Sequence, residues 1–270
     1  MPRFSANLGF LFADRPHGER IAAAAVAGFP AVEMHWPYEV PAATLRTALD
    51  RAGVRMLGIN TPVGDRARGD NGLAAVPGRE AEFAAAFDLA LSYAVALGGT
   101  AVHCMAGVVP PDRHEAAERT YVANLTAAAD KAAVAGKTIL IEPLNPRDAP
   151  GYFLADVDQA AAIVQATGRA NVKIMFDCYH VQIVGGDVIR RFECVRPLVG
   201  HVQIAAVPSR AEPDEGELAY PAILAAFEAA GWEGFVGAEY KPRGRTEDGL
   251  GWMAAYPAAE AVAVATGDAR

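Results

Sequence analysis

Short apolar runs alternate with longer alanine-rich stretches along the whole chain. The runs cover residues 4–12, 31–36, 54–60, 100–107, 138–145, 172–181, 201–207 and 234–240. They are rich in β-branched and aliphatic residues and read as strands covered on both faces. The stretches between them have helical spacing, most clearly over 79–98 and 113–136. Several close on glycine, at Gly28, Gly53, Gly98, Gly136, Gly168 and Gly231. Glycine ends helices because it enters left-handed backbone without a Cβ penalty. Eight strand-then-helix units predict an α/β fold, a single (β/α)8 TIM barrel over residues 1–270 as one domain. A doubly wound open sheet is the rival. It usually carries a glycine-rich phosphate turn after its first strand, and the segment LFADRPHG at 11–18 has no such turn.

Two connections, 61–80 and 206–221, are longer than the rest. Both follow strands, on the side where barrel loops build active sites, so walls or a cover for a site are expected there. The chain has 270 residues, 52% of them hydrophobic, with a net charge of −8 and a pI near 5.3. Nucleic-acid binding draws its affinity from lysine and arginine on phosphate, so this charge disfavours it. The three cysteines, Cys104, Cys178 and Cys194, form no CxxC pair, which suggests a reducing compartment. No signal-peptide core or membrane-spanning run is present, so a cytoplasmic protein without a membrane partner is expected.

Four strand ends carry the chemistry. Glu142 lies in TILIEPLN, Asp177 in VKIMFDCYH, Gln203 in GHVQIAAV and Glu239 in GFVGAEYKP. Any one of them alone reads more simply as a helix cap or an arginine partner. As a set they lie on consecutive strands, whose ends converge on one side of a barrel mouth. Three carboxylates brought close would repel each other and take up protons unless a cation sat between them. Carboxylate and amide oxygens are hard donors, so Mg2+ or Mn2+ is expected in preference to Zn2+. His180, three residues after Asp177, reads as a ligand, a donor to the ligands, a substrate contact or a buried structural histidine. Asn60, Arg210 and Lys241 lie just past strand ends and are candidate substrate contacts. A guanidinium suits a substrate carboxylate, although Arg210 reads equally as a solvated loop charge. His103 and His201 sit inside apolar runs and read as core residues, as does Cys178. His35 and Trp36 are candidates to line the mouth.

The segments IEPLN, FDCYHVQ, GHVQIA, GEL and GAEYKP, with GFPAVEMHWPY and VPGRE nearer the N-terminus, resemble the hydroxypyruvate isomerase family. The resemblance covers nearly the whole chain. It implies a xylose-isomerase-like TIM barrel that interconverts hydroxypyruvate and tartronate semialdehyde, or isomerises related acids such as 2-oxo-tetronates. It also implies that Glu142, Asp177, Gln203 and Glu239 are Mg2+ ligands, with Glu142 and Glu239 as the acid–base pair. Two positions depart from the family pattern. Ala205-Ala206 stands where Ala-Asp is common, and Ile59-Asn60 where His-Asn is common.

The expected reaction is therefore a metal-dependent aldose–ketose type isomerisation of a small sugar acid, with hydroxypyruvate first and a 2-oxo-tetronate second. It would proceed through an enediolate without a redox cofactor. A ketose 3-epimerase and an inosose-dehydratase-like lyase are alternatives on the same barrel. An abasic-site endonuclease is more distant, because it would need a histidine-rich zinc cluster and a basic groove. A homo-oligomer is compatible with the sequence.

Overall fold

A computed structural model describes residues 2–256 of the chain. The last part of the 1–270 domain reading lies outside those residues. Eight parallel strands close into a barrel in chain order: β1 (Arg3–Asn7), β2 (Ala31–Met34), β3 (Arg55–Asn60), β4 (Ala101–His103), β5 (Thr138–Ile141), β6 (Val172–Asp177), β7 (Val199–Ile204) and β8 (Phe235–Ala238). β1 pairs with β8, in register from Arg3↔Phe235 to Ala6↔Ala238, which completes the ring. All eight expected runs contain a strand. Most are shorter than the apolar pattern suggested. The 4–12 run stays extended only to Asn7, and the 172–181 run stops at Asp177, where a helix begins. The Asp177 side chain accepts the Tyr179 backbone N–H at 2.8 Å, so the carboxylate that ends the strand also caps the helix after it.

Around the barrel lie α1 (His17–Val26), α2 (Ala42–Ala52), α3 (Glu80–Leu97), α4 (His114–Val134), α5 (Val157–Thr167), α6 (Cys178–Val184), α7 (Val188–Val195) and α8 (Tyr220–Ala229). The six glycines expected to end helices all have positive φ, from 61° to 89°. No described helix is long and apolar enough to cross a membrane.

Strand parity decides where the side chains go. Ile139, Ile141, Ile174, Phe176, Val202, Ile204, Val236 and Ala238 join the large core between sheet and helices. In that layer Phe176, Phe192 and Phe227 pack ring against ring, with Phe192 and Phe227 stacked at 3.8 Å. Each buried phenylalanine contributes roughly 1.5–3 kcal/mol through removal from water. The alternate residues face inward. Ala101, Leu140 and Met175 form a small apolar cluster inside the barrel. Above them, at the C-terminal mouth, the same parity turns His103, Glu142, Asp177, Gln203 and Glu239 inward. A barrel interior is ordinarily filled by layers of branched side chains. Here it retains a cavity of about 250 Å³, reaching from Glu142 and Glu239 past Glu33 and His201 to Arg55 and Phe235.

Candidate active site

Glu142, Asp177, Gln203 and Glu239 are brought together at this mouth, each buried and 1–6% exposed. Asp177 pairs in register with Gln203, and Gln203 with Gly237 two residues before Glu239. Asp177, Gln203 and Glu239 are each hydrogen-bonded through one atom and free at another. Asp177 uses one oxygen to cap α6. Gln203 donates its amide N–H to Glu33 Oε2 at 2.9 Å. Glu239 Oε1 accepts from Asn7 Nδ2 at 3.0 Å and lies 2.8 Å from His35 Nε2. Glu142 Oε2 lies 3.8 Å from His103 Nδ1. The remaining oxygens, Glu142 Oε1, Asp177 Oδ2, Gln203 Oε1 and Glu239 Oε2, are buried without a hydrogen-bond partner among the described residues.

Buried polar atoms are normally paired, because leaving one unpaired costs a few kcal/mol, roughly 1–3. Four such acceptors at the ends of four neighbouring strands would suit an electropositive guest. Electrostatics agree. Burial, then Glu239, then Asp177, push the Glu142 carboxyl well above its ordinary range. Burial and then Glu239 push Asp177 up to about 7. Three carboxylate oxygens and one amide oxygen form a hard donor set, which fits a divalent ion such as Mg2+ or Mn2+.

Ligand atoms of Glu142, Asp177 and His180 all lie within 4.8 Å of one another. The hydrogen bonds of His180 give it a different role from the two carboxylates. Its Nδ1 accepts the Asn145 backbone N–H at 3.0 Å and faces Asn145 Nδ2 at 2.7 Å. The Asn145 amide cannot be turned round, since its Oδ1 accepts from the backbones of Arg147 and Asp148 at 3.0 Å. With Nδ1 occupied as acceptor, the ring proton sits on Nε2. That atom is 3.6 Å from Glu142 Oε1 and 3.6 Å from Asp177 Oδ2. Burial, then Arg210 and His103, hold His180 far below its ordinary pKa. It is a neutral donor aimed into the mouth.

Arg210 is not a solvated loop charge: its side chain is 13% exposed and lies beside Glu239. Its guanidinium stacks between Phe10 and Tyr179, at 5.0 and 4.9 Å. It meets Asp148 at 3.0 Å and approaches Glu239 Oε2 at 3.8 Å. The residue sits in left-handed backbone, φ 54°. Its N–H bonds to Ala206 O at 2.8 Å, and its carbonyl accepts the Lys241 N–H at 2.7 Å. The Lys241 side chain itself is exposed. Asn60 lines the cavity, with Oδ1 3.3 Å from His103 Nδ1. His35 packs beside Phe10 and Trp36, so the expected lining role has become a contact with Glu239. Burial, then His35, hold His103 down to about 3, so it too is neutral.

Sequence reading passed over Asn7, Glu33, Asn145 and Asp148. The first two carry a signal in hindsight: each is a polar side chain between apolar neighbours in a strand, in SAN and VEM, at the inward parity. His201, read as a core residue, lies against a buried carboxylate, with Nε2 2.9 Å from Glu33 Oε1. Burial lowers its affinity for a proton, but the Glu33 carboxylate outweighs this and raises it.

The xylose isomerase-like TIM barrel family model matches residues 21–256. A 2-oxo-tetronate isomerase of Cupriavidus necator is 48% identical over 257 residues, 95% of this chain and 99% of that protein. A hydroxypyruvate isomerase of Escherichia coli is 38% identical, over 95% of this chain and 100% of that protein. A crystal structure from Brucella melitensis, described as an AP endonuclease of family 2, superposes with a TM-score of 0.93. It is 45% identical and covers 95% of this chain and 99% of that one. From the closed barrel, the acidic mouth and these relationships, the chain belongs to the xylose isomerase-like TIM barrel family and is an isomerase.

Proposed function

We propose that the chain is a divalent-metal-dependent isomerase of a short 2-oxo sugar acid. In this reading it exchanges the carbonyl and hydroxyl of two neighbouring carbons beside a carboxylate. A four-carbon 2-oxo-tetronate is the preferred substrate, and hydroxypyruvate its three-carbon analogue. The order follows the relatives, 48% identical for the former activity and 38% for the latter. The observation that carries the chemistry is the group of four unpartnered oxygens on Glu142, Asp177, Gln203 and Glu239.

These four side chains would hold the ion. Once bound, it supplies polarisation of the substrate carbonyl and compensation for negative charge. The protein's own residues do the rest. Glu142 and Glu239 face the same space, one to take the proton from the hydroxyl-bearing carbon and the other to return one to the former carbonyl carbon. The hydroxyl proton passes between the two oxygens, so substrate and product have the same atoms. His180 offers Nε2–H to a substrate oxygen. Arg210 offers a guanidinium to the substrate carboxylate, which the cluster of protein carboxylates would otherwise repel. Phe10, Trp36 and Tyr179 limit water around the reacting carbons.

The Brucella structure's description favours a second reading, cleavage at an abasic site. The net charge of −8 and a mouth of carboxylates argue against it. The test is to incubate the metal-loaded protein with a 2-oxo-tetronate, hydroxypyruvate, an uncharged ketose and an abasic-site duplex, and to follow products by NMR and gel. Isomeric sugar-acid product is expected. A product lacking one water would indicate a lyase, an epimer of the ketose an epimerase, and a cut duplex an endonuclease.

A further inference from the structure

We propose that Glu33 is a positioning residue that decides which face of the Gln203 amide looks into the mouth, and so makes Gln203 an oxygen ligand. The inference rests on the reading of Glu142, Asp177, Gln203 and Glu239 as ligands of a divalent cation. Glu33 stands on β2, on the far side of the sheet order from the strands bearing Glu142 and Asp177. Its carboxylate is 5% exposed and meets three partners. Ser5 Oγ donates to Oε1 at 2.6 Å, His201 Nε2 lies 2.9 Å from the same oxygen, and Gln203 Nε2 donates to Oε2 at 2.9 Å.

The last torsion of glutamine is broad and nearly two-fold, so its rotamer does not choose between presenting O or NH2. An ionised carboxylate only accepts hydrogen bonds. Opposite Glu33, the amide must therefore turn its NH2 downward, which sends Oε1 upward toward the three carboxylates. The reverse orientation would set two acceptors against each other below and leave an NH2 pointing at the place a cation would occupy.

Two further observations show that the cluster is built. The interior cavity borders both Glu33 and His201, so close packing alone does not set the direction of the Glu33 carboxylate, which Ser5 and Gln203 hold by hydrogen bonds. In addition, β8 makes room for them. A Cβ on Gly237 would come 2.4 Å from Glu33 Oε1, 2.9 Å from Gln203 Cγ and 3.0 Å from His201 Nε2. Ser5, Glu33, His201, Gln203 and Gly237 come from β1, β2, β7 and β8, which meet only in the closed barrel. A buried carboxylate set against a histidine is a poor way to gain stability, since apolar residues of equal volume often serve as well or better. Orientation of a ligand gives it a purpose.

The test uses the full chain stripped of metal by chelation and titrated with Mn2+ by calorimetry, without substrate. Glu33→Gln keeps the size but can donate as well as accept, which releases Gln203 to turn over. It is expected to weaken Mn2+ binding by roughly 10- to 100-fold. In a Gln203→Ala background the same change should cost less than about three-fold, because the coupling runs through the amide. Circular dichroism and thermal unfolding report whether each variant is folded. Should Glu33→Gln fail to fold, Ser5→Ala serves instead. It removes one of Glu33's partners and should weaken Mn2+ binding by a smaller factor, again only when Gln203 is present. Unchanged Mn2+ affinity in a folded Glu33 variant, or in Ser5→Ala when that substitute is needed, would overturn the proposal. So would equal losses in the two backgrounds. A chain that binds Mn2+ with this coupling but isomerises no sugar acid would instead overturn the functional reading and leave this one standing.

Discussion

The first four strands and the last four build one mouth but aim at different targets. β5–β8 end in Glu142, Asp177, Gln203 and Glu239, each with an oxygen left over. The inward polar groups of β1–β4 are directed at other side chains. Asn7 and His35 meet Glu239, Glu33 meets Gln203, and His103 lies near Glu142. One half of the barrel leaves oxygens free at the mouth, and the other half faces the first. The division has a physical basis. A carboxylate cluster is unfavourable without a cation, so its members must be fixed from outside, by the strands across the barrel for Gln203 and Glu239 and by the start of α6 for Asp177.

The strongest way to break this comparison is to neutralise the second half. Glu142→Gln and Glu239→Gln each keep size and an oxygen but lose the base, and each should lower kcat by about 10²–10⁴-fold. Circular dichroism should remain native. Near-normal turnover in either variant with metal bound would place the proton transfers elsewhere.

Arg210→Ala should raise KM for a carboxylate substrate by roughly ten- to a hundred-fold, the value of a charge-assisted hydrogen bond of about 1.5–3 kcal/mol. The KM of an uncharged ketose should change much less. Equal changes for both would reduce Arg210 to a wall of the site.

Metal and pH separate the halves further. The carboxyls of Asp177 and Glu142 bind protons more tightly in the folded chain than in the unfolded one. Raised carboxyl pKa values cost stability above the unfolded value, so the metal-free protein should lose stability as pH rises from about 4 through about 7. A bound divalent ion cancels that cost. Saturating Mn2+ should therefore raise Tm by several degrees more at about pH 8 than at about pH 5. A shift independent of pH, measured by calorimetric scanning, would place the ion away from these carboxylates.

The mildest effect should come from the first half. Asn7→Ala removes one hydrogen bond to Glu239 that His35 backs up, and should lower kcat by roughly two- to ten-fold, as for a neutral bond of about 0.5–1.5 kcal/mol. A loss as large as that of Glu239→Gln would erase the distinction between the two halves.

Much of this was written in local pattern. The period of the apolar runs set the eight strands, and glycines marked helix ends, because both are decided within a few residues of chain. Glu142, Asp177, Gln203 and Glu239 stood out because each ends an otherwise apolar run. Glu33 and Asn7 did not, because a polar residue inside a short run looks like an interruption until strand parity is known.

The sequence by itself determined a barrel, an acidic mouth and the four side chains placed there. Only tertiary structure decided what each of them does. It turned the Gln203 amide by setting Glu33 opposite it. It gave His180 its tautomer through Asn145, and drew Arg210 out of solvent between Phe10 and Tyr179. It left the Lys241 side chain exposed, with its backbone N–H on the Arg210 carbonyl. The physical reason is that burial and strand order follow from local hydrophobicity, whereas the role of a polar atom depends on its partners, and here those partners are brought together by closing β1 onto β8.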